Sequence, residues 1–193
     1  MATENEREAI QDLLTFWFAE DTKARWYHAT PEFDELCRQR FADQVEQAGR
    51  GELAAWQATS DGALALCLLL DQIPRNIFRG SARAFATDPM ALDVASRAID
   101  QGFDQQLPLE RRLFLYLPFM HSERLVDQER SLALYRQVGD EASLAFAKDH
   151  ADIVRRFGRF PHRNAILGRQ STEEELAFLA TGAKDYGQAT TKS

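Results

Sequence analysis

The sequence predicts an all-α protein with about eight helices, arranged as stacked antiparallel hairpins. No segment of the 193 residues shows the sustained apolar–polar alternation that is typical of a half-buried strand. Apolar residues instead recur at helical spacing through most of the chain, and the periodic stretches end at proline or glycine. Because the predicted connections are short, we expect a right-handed array of helical hairpins similar to tetratricopeptide proteins.

The first two helices have clear start signals. Thr3 with Glu6 forms a capping-box pattern, and Thr30-Pro31 fits the N-cap and first turn of a second helix that continues to Gly49. The inward faces of these two helices are predicted from their apolar stripes, which are Ile10, Leu13, Leu14 and Trp17, then Phe33, Cys37, Phe41 and Val45.

The middle of the chain contains its most apolar helix. Ser60-Asp61 opens it, and 63–70 is apolar on every face, so we expect this helix to be surrounded by others. It should stop before Pro74, because a residue that precedes proline is pushed out of the α region. A further helix is predicted from Thr87-Asp88-Pro89 to Gly102.

The C-terminal half continues the helical pattern. A helix should begin at Pro108, and Pro118 lies inside its pattern, where proline kinks or ends a helix. The remaining helices are predicted over 127–138, over 141–157 and after a capping box formed by Ser171 and Glu174. Residues 1–180 are therefore interpreted as one helical domain, and 181–193 as a polar C-terminal tail.

Composition excludes several classes of function. The net charge of −7 argues against binding to nucleic acid or to an anionic membrane. The longest apolar run, 63–70, is too short to span a bilayer, and the opening residues lack the basic and apolar regions of a signal peptide. We expect a cytoplasmic protein, a monomer or a homodimer, in which Cys37 and Cys67 are buried and reduced.

Three segments combine a proline break with polar side chains. They are 71–80 (DQIPRNIFRG), 117–124 (LPFMHSER) and 155–168 (RRFGRFPHRNAILG). Pro161-His162-Arg163-Asn164 resembles Pro74-Arg75-Asn76 in its order of residue types. Because helix breaks bring helix ends and their unpaired backbone groups together, ligand sites are often found near them.

The interpretation that we carry forward is a groove near these segments that binds a protein partner or a small anionic ligand. Arginine-containing stretches without acidic residues suit a carboxylate or phosphate, which guanidinium groups bind bidentately. The candidate ligand-binding residues are Arg75, Asn76, Arg79, Arg159, Arg163 and Asn164.

A second interpretation is an enzyme that works without a metal. His121 and His162 are candidate acid and base, with Glu123 or Asp71 as a further proton carrier or orienting group. His121 and Glu123 are two residues apart, a poor spacing for metal ligands on one helix, so no metal is expected. The common nucleotide and metal motifs are missing from the sequence, so no cofactor is expected either.

A third interpretation is purely structural. Buried arginine and asparagine side chains can satisfy the carbonyl groups freed at broken helices and pair with acids such as Asp71, Glu123 or Asp127. His28 and His150 are interpreted as packing or surface residues. If the polar segments form a site, Arg75, His121 and Arg163 should lie within roughly 12 Å of one another around a shared cavity.

The three segments also carry a family resemblance. LLLDQIPRNIFRG, FLYLPFMHSE and GRFPHRN resemble the hallmarks of a bacterial family of unknown function, number nine-two-four in the domain-of-unknown-function series. The resemblance extends from about Ile10 to Leu179 and implies a tetratricopeptide-like all-helical fold, but no activity or catalytic residue. Met120 departs from the family, in which an acidic residue is common beside the position of His121.

Overall fold

The computed structural model describes residues 3–26 and 30–182, and every regular element in these ranges is helical. The all-α prediction is therefore confirmed. The α-helices are α1 (Glu4–Trp17), α2 (Glu20–Lys23), α3 (Pro31–Gly49), α4 (Ser60–Cys67), α5 (Ile73–Ile77), α6 (Asp88–Asp100), α7 (Leu109–His121), α8 (Leu125–Val138), α9 (Glu141–Phe157) and α10 (Glu173–Ala180). His28 and the tail from residue 183 lie outside the described residues.

Capping explains where several of these helices begin. The box between Thr3 and Glu6 is present at the start of α1, as predicted. The box predicted at Ser171 and Glu174 is wrong by one residue, because Thr172 and Glu175 form it. Ser171 instead accepts a hydrogen bond from Asn164 at 3.0 Å, which ties the preceding loop to the start of α10.

The central helix does not stop before Pro74, and this prediction was wrong. A π-helical segment, Leu68–Gln72, joins α4 to α5, so the chain stays helical through the proline to Ile77. Pro74 has no N–H to donate to the carbonyl of Leu70, but the hydroxyl of Thr87 donates to that carbonyl at 2.6 Å. The wide turn and this replacement hydrogen bond remove the usual reason for a helix to end.

Helix α7 continues through Pro118 and ends three residues later at His121. The last carbonyl groups of a helix have no partner within it. Here the side chain of Gln128, fully buried on α8, donates to the carbonyl groups of Phe119 at 3.4 Å, Met120 at 2.7 Å and Ser122 at 2.7 Å. One side chain therefore fixes the backbone on both sides of His121.

The core is organised around α4, as its apolar composition predicts. Leu64 and Leu68 are completely buried, and α4 packs against α1, α6, α7 and the short 3₁₀ turn Ala54–Ala58. Helices α8 and α9 are joined by a two-residue connection and form an extensively packed hairpin. The right-handed tetratricopeptide-like order of the hairpins stays a prediction.

The cysteines are buried and unpaired, as expected. Cys37 and Cys67 are both free thiols, and burial raises the pKa of Cys37 to about 12. The thiol therefore stays protonated and behaves as a small apolar side chain. None of the helices in the described ranges combines the length and apolar character needed to cross a membrane.

Replacement of Gln128 by leucine should destabilise the fold by about 2–4 kcal/mol, because three carbonyl groups lose their shared donor without gaining water. Urea unfolding at pH 7 measures this change. Gln137→Leu, at an exposed position on the same helix, is the matched control and should stay within about 0.5 kcal/mol of the wild type. Equal stability of the two variants would contradict the role assigned to Gln128.

Candidate functional site

The candidate site is built on a buried carboxylate. Asp71 is 1% exposed and lies in the π-helical segment, which directs it toward the end of α7. It accepts a hydrogen bond from Gln72, and its Oδ1 lies 3.2 Å from Nη1 of Arg75. The Nδ1 atom of His121 lies 2.8 and 3.0 Å from its two oxygens. Residues from the first two proline-broken segments are thereby joined.

The protonation states of this pair follow from their surroundings. Burial alone would raise the pKa of Asp71, but Arg75 and His121 outweigh it and hold that pKa well below its usual range. Burial lowers the pKa of His121, and this effect exceeds the opposing attraction of Asp71. An ionised carboxylate only accepts hydrogen bonds, so neutral His121 donates from Nδ1 and carries its lone pair on Nε2.

The second nitrogen of His121 is available. Within the described ranges no hydrogen bond to Nε2 is present, and the side chain keeps 14% of its surface exposed. A neutral imidazole held by a carboxylate on one nitrogen and open on the other can accept a proton from a bound molecule. The arrangement is that of a general base with its orienting group.

Asp88, at the start of α6, connects this pair to the third segment. Its two oxygens accept hydrogen bonds from Arg75 at 2.8 and 2.9 Å. Oδ2 also lies 3.5 Å from Nη1 of Arg163, which donates to the backbone carbonyl of His121 at 3.1 Å. The structure thus brings Arg75, His121 and Arg163 together through shared partners. The shared cavity that was also expected around them stays a prediction.

Arg163 differs from the other arginines of the site. It is 7% exposed, and its guanidinium carbon lies 4.7 Å from the ring centre of Phe85 and 4.5 Å from that of Phe160. Its Nε atom is buried and has no hydrogen-bond partner among the residues that the structure describes. Burial and the neighbouring Arg75 lower the pKa of Arg163 to about 10. The charge is held in place by aromatic rings, and the Asp88 carboxylate lies 3.5 Å away.

His150 belongs to the same cluster and was not assigned to the site from the sequence. It is 5% exposed on α9, and its ring centre lies 6.2 Å from that of His121 and 5.6 Å from that of Phe160. Its Nδ1 lies 2.8 Å from the carbonyl oxygen of Phe146 and so donates to it. Burial lowers the pKa of His150 to about 3, and the positive charge of nearby Arg163 acts in the same direction. Its position among Ala147, Ala151 and Val154 on the inward face was the available signal.

Two of the proposed catalytic residues are placed less favourably. Glu123 accepts hydrogen bonds from Arg169 at 2.7 and 2.9 Å and from the backbone N–H of Phe160 at 2.7 Å. Burial raises the pKa of Glu123, but the hydrogen bonds from Arg169 and from the backbone N–H of Phe160 lower it by more, so Glu123 stays ionised. His162 packs on Phe160, with ring centres 5.6 Å apart, and is half-buried. Among the described residues, no hydrogen bond or ion pair joins Glu123 or His162 to Asp71 or His121.

The other proposed ligand-binding residues lie at two separate salt bridges. Asn76 and Arg79 bind Asp34 of α3, at distances of 2.6–3.0 Å. Arg159 binds both oxygens of Glu175 at the start of α10, at 2.6 and 2.8 Å, and Asn164 lies 3.3 Å from the same carboxylate. Their donors are used by the protein itself, so these residues stabilise the packing of α3 and α10.

Neither surface hollows nor metal-ligand clusters indicate a different functional site in the part of the chain that the structure describes. One hollow of about 260 Å³ lies between α3, α4 and α6, and another of about 210 Å³ lies between α3, α5 and the segment that precedes α6. Neither is lined by Arg75, His121 or Arg163. In the part of the chain that the structure describes, no group of three or more His, Cys, Asp or Glu side chains is placed to hold a metal ion.

Comparison with known proteins identifies relatives but no activity. Residues 13–183 match the family model described as bacterial protein of unknown function (DUF924). The chain is also similar to a solved structure of a protein of unknown function, ATU0120, from Agrobacterium tumefaciens. That similarity has a TM-score of 0.87 and 43% sequence identity, and covers 91% of this chain and 99% of the other. No curated protein matches the chain.

The arginines should separate by their effect on stability. Arg75→Met leaves buried Asp71 and half-buried Asp88 without their shared cation, so we expect a loss of about 3–5 kcal/mol in the free energy of unfolding. Arg163→Met removes a charge that burial already disfavours, so we expect a loss of about 1 kcal/mol, in line with stability being traded for function. Urea unfolding of both variants at pH 7 checks this. Similar losses would show that Arg163 is as structural as Arg75.

Stability should fall as the pH drops below about 6.5, where histidine in the unfolded chain takes up a proton. His150 in the folded protein has a pKa of about 3, so it stays neutral and the unfolded state binds more protons. His150 alone should lower the free energy of unfolding by about 2 kcal/mol at pH 5 relative to pH 7. His150→Gln keeps a donor for the carbonyl of Phe146 and should reduce the pH-dependent loss by that amount. Urea unfolding at pH 7, 6 and 5 measures both slopes; identical slopes would refute the assignment.

Proposed function

The chain belongs to this bacterial family of unknown function, and we propose that it is an enzyme in which His121 transfers protons as the acid–base group. The observation that carries the proposal is the Asp71–His121 pair, with Nδ1 held at 2.8 Å and Nε2 open. A buried carboxylate that orients a neutral, partly exposed imidazole has a direct use in proton transfer.

Asp71 acts as the positioning residue. It fixes the tautomer and the orientation of the ring, and it stabilises the imidazolium that forms when a proton is accepted. Arg75 keeps Asp71 ionised, and Asp88 holds Arg75 in place by accepting two of its hydrogen bonds. Gln128 fixes the backbone around His121 in the same way, so the ring is held from two sides.

The proposal combines the two functional interpretations of the sequence. Groove binding of an anion required several arginines with spare donors, but Arg75, Arg79 and Arg159 are paired with carboxylates. Acid–base chemistry required an oriented histidine, and His121 has that support. Binding without chemistry remains the second candidate because Arg163 keeps a buried donor without a partner. We place the activity in the cytoplasm, where two buried free thiols are usual.

The reactivity of His121 toward diethyl pyrocarbonate tests the proposal without a known substrate. The reagent attacks neutral imidazole at its open nitrogen. We therefore expect the modification rate of His121 to change less than about twofold between pH 8 and 6.5, since its pKa lies below the ordinary value of about 6.5. Mass spectrometry of proteolytic peptides locates the adduct, and His121→Gln is the control that lacks it. An unreactive His121 in the folded protein would refute the proposal.

A screen for turnover then tests catalysis itself. Wild type and His121→Gln are incubated with mixtures of carboxylate and phosphate metabolites, and conversion is followed by NMR. Loss of a general base costs about 10²–10⁴-fold in rate, so any turnover should fall by that factor in the variant. Asp71→Asn should also slow turnover. The apparent pKa of His121 in the pH–rate profile of this variant should differ from that of the wild type. Turnover that survives in His121→Gln would contradict the assigned role.

A further inference from the structure

Arg163 presents one edge of its guanidinium group that the protein leaves unused. Phe85 and Phe160 flank the group at 4.7 and 4.5 Å from the ring centres. Nη1 donates to the carbonyl of His121, whereas Nε is buried without a partner. Among the described residues none accepts a hydrogen bond from Nη2 either. The Nε–Nη2 edge has the parallel donors that match two oxygens of one oxyanion.

The charges around this edge are balanced before any ligand arrives. Asp71 and Asp88 carry two negative charges, and Arg75 and Arg163 carry two positive ones. The histidines of the cluster are kept neutral by burial. An anion that binds here brings net negative charge into a buried region, and uptake of one proton by a neighbouring group would offset it.

We infer that the Nε–Nη2 edge of Arg163 binds an oxyanion group of the substrate, carboxylate or phosphate, and that binding is coupled to proton uptake by His121. The inference rests on the proposed function, because it assigns the substrate class of the same site. His121 is then protonated while the substrate is bound, so it donates this proton as general acid and is left as the neutral general base.

His121 takes the proton in preference to His150 because of their different neighbours. The imidazolium of His121 would lie against the Asp71 carboxylate at 2.8 Å. His150 uses Nδ1 on a neutral carbonyl and is flanked by Arg163 and His162, which oppose a further positive charge. The charged and titratable groups that surround His121 on the elements packed around it are Asp71, Arg75, Asp88, His150 and Arg163.

Sulfate is a suitable probe because it stays fully ionised across the range used, so any proton that is exchanged belongs to the protein or the buffer. Calorimetric titration of the full chain with sodium sulfate, with chloride as the ionic-strength control, gives affinity at pH 6, 7 and 8. Affinity should rise by up to about tenfold for each pH unit lowered, since ligand binding raises the pKa of the linked histidine. Titration in two buffers of different ionisation enthalpy should give uptake of between about 0.5 and 1 proton.

Variants test oxyanion binding by Arg163 and proton uptake by His121 separately. Arg163→Gln should weaken sulfate binding at least about tenfold, and Arg163→Lys, which keeps the charge but lacks the two-donor edge, should also weaken it. Arg79→Gln is the matched control, since Arg79 is held by Asp34, and should leave the affinity unchanged. In His121→Gln sulfate should still bind, but proton uptake and the pH dependence should disappear. Acetate in place of sulfate tests carboxylate recognition at the same edge.

Clear outcomes overturn the inference. Absence of binding by both sulfate and acetate, or equal affinity of wild type and Arg163→Gln, refutes the oxyanion site. Binding without proton uptake, or uptake that survives in His121→Gln, refutes the coupling. The proposed function is tested separately: His121 should stay reactive toward diethyl pyrocarbonate in Arg163→Gln, so loss of sulfate binding alone does not contradict the role of His121 in proton transfer.

Discussion

The structure depends on the burial of one carboxylate, Asp71. An ion of this kind is costly to bury unless its charge is balanced and its oxygens are hydrogen-bonded. Arg75 supplies the balancing charge, Gln72 and His121 supply hydrogen bonds, and Asp88 in turn compensates Arg75. These partners belong to the central helical segment, the end of α7 and the start of α6, so the three elements must pack together. The burial of a single charge therefore fixes the geometry of the site.

The irregular backbone around Asp71 also helps to position the site. The π-helical segment and Pro74 would leave carbonyl groups unpaired, and Thr87 satisfies that of Leu70. Gln128 does the same for three carbonyl groups at the end of α7. Wide helical turns are frequent at functional sites because they redirect a side chain without ending the helix. In this protein the redirected side chain is Asp71, which orients His121.

The arginines show why a pattern in the sequence overstated the ligand site. The segments around Arg75 and Arg163 contain few or no acids of their own, which suggested free guanidinium groups. In the fold, acids arrive from distant elements: Asp34 of α3 pairs with Arg79, Asp88 of α6 with Arg75, and Glu175 of α10 with Arg159. Local charge patterns cannot reveal such pairs, because the partners are far apart in the sequence. Arg163 keeps an unused donor because its nearest carboxylate oxygen lies 3.5 Å away.

The sequence by itself determined the long helices and several of their ends, because periodicity and capping are local: Thr3 with Glu6 and the span Glu141–Phe157 are where the pattern placed them. It also identified the segments that hold Asp71, His121 and Arg163. Only the tertiary structure decided that the chain remains helical through Pro74, that His150 lies beside His121, and which arginines are already paired with carboxylates. Each of these depends on a hydrogen bond, ring contact or charge supplied by a residue distant in the chain, and such contacts exist only after folding.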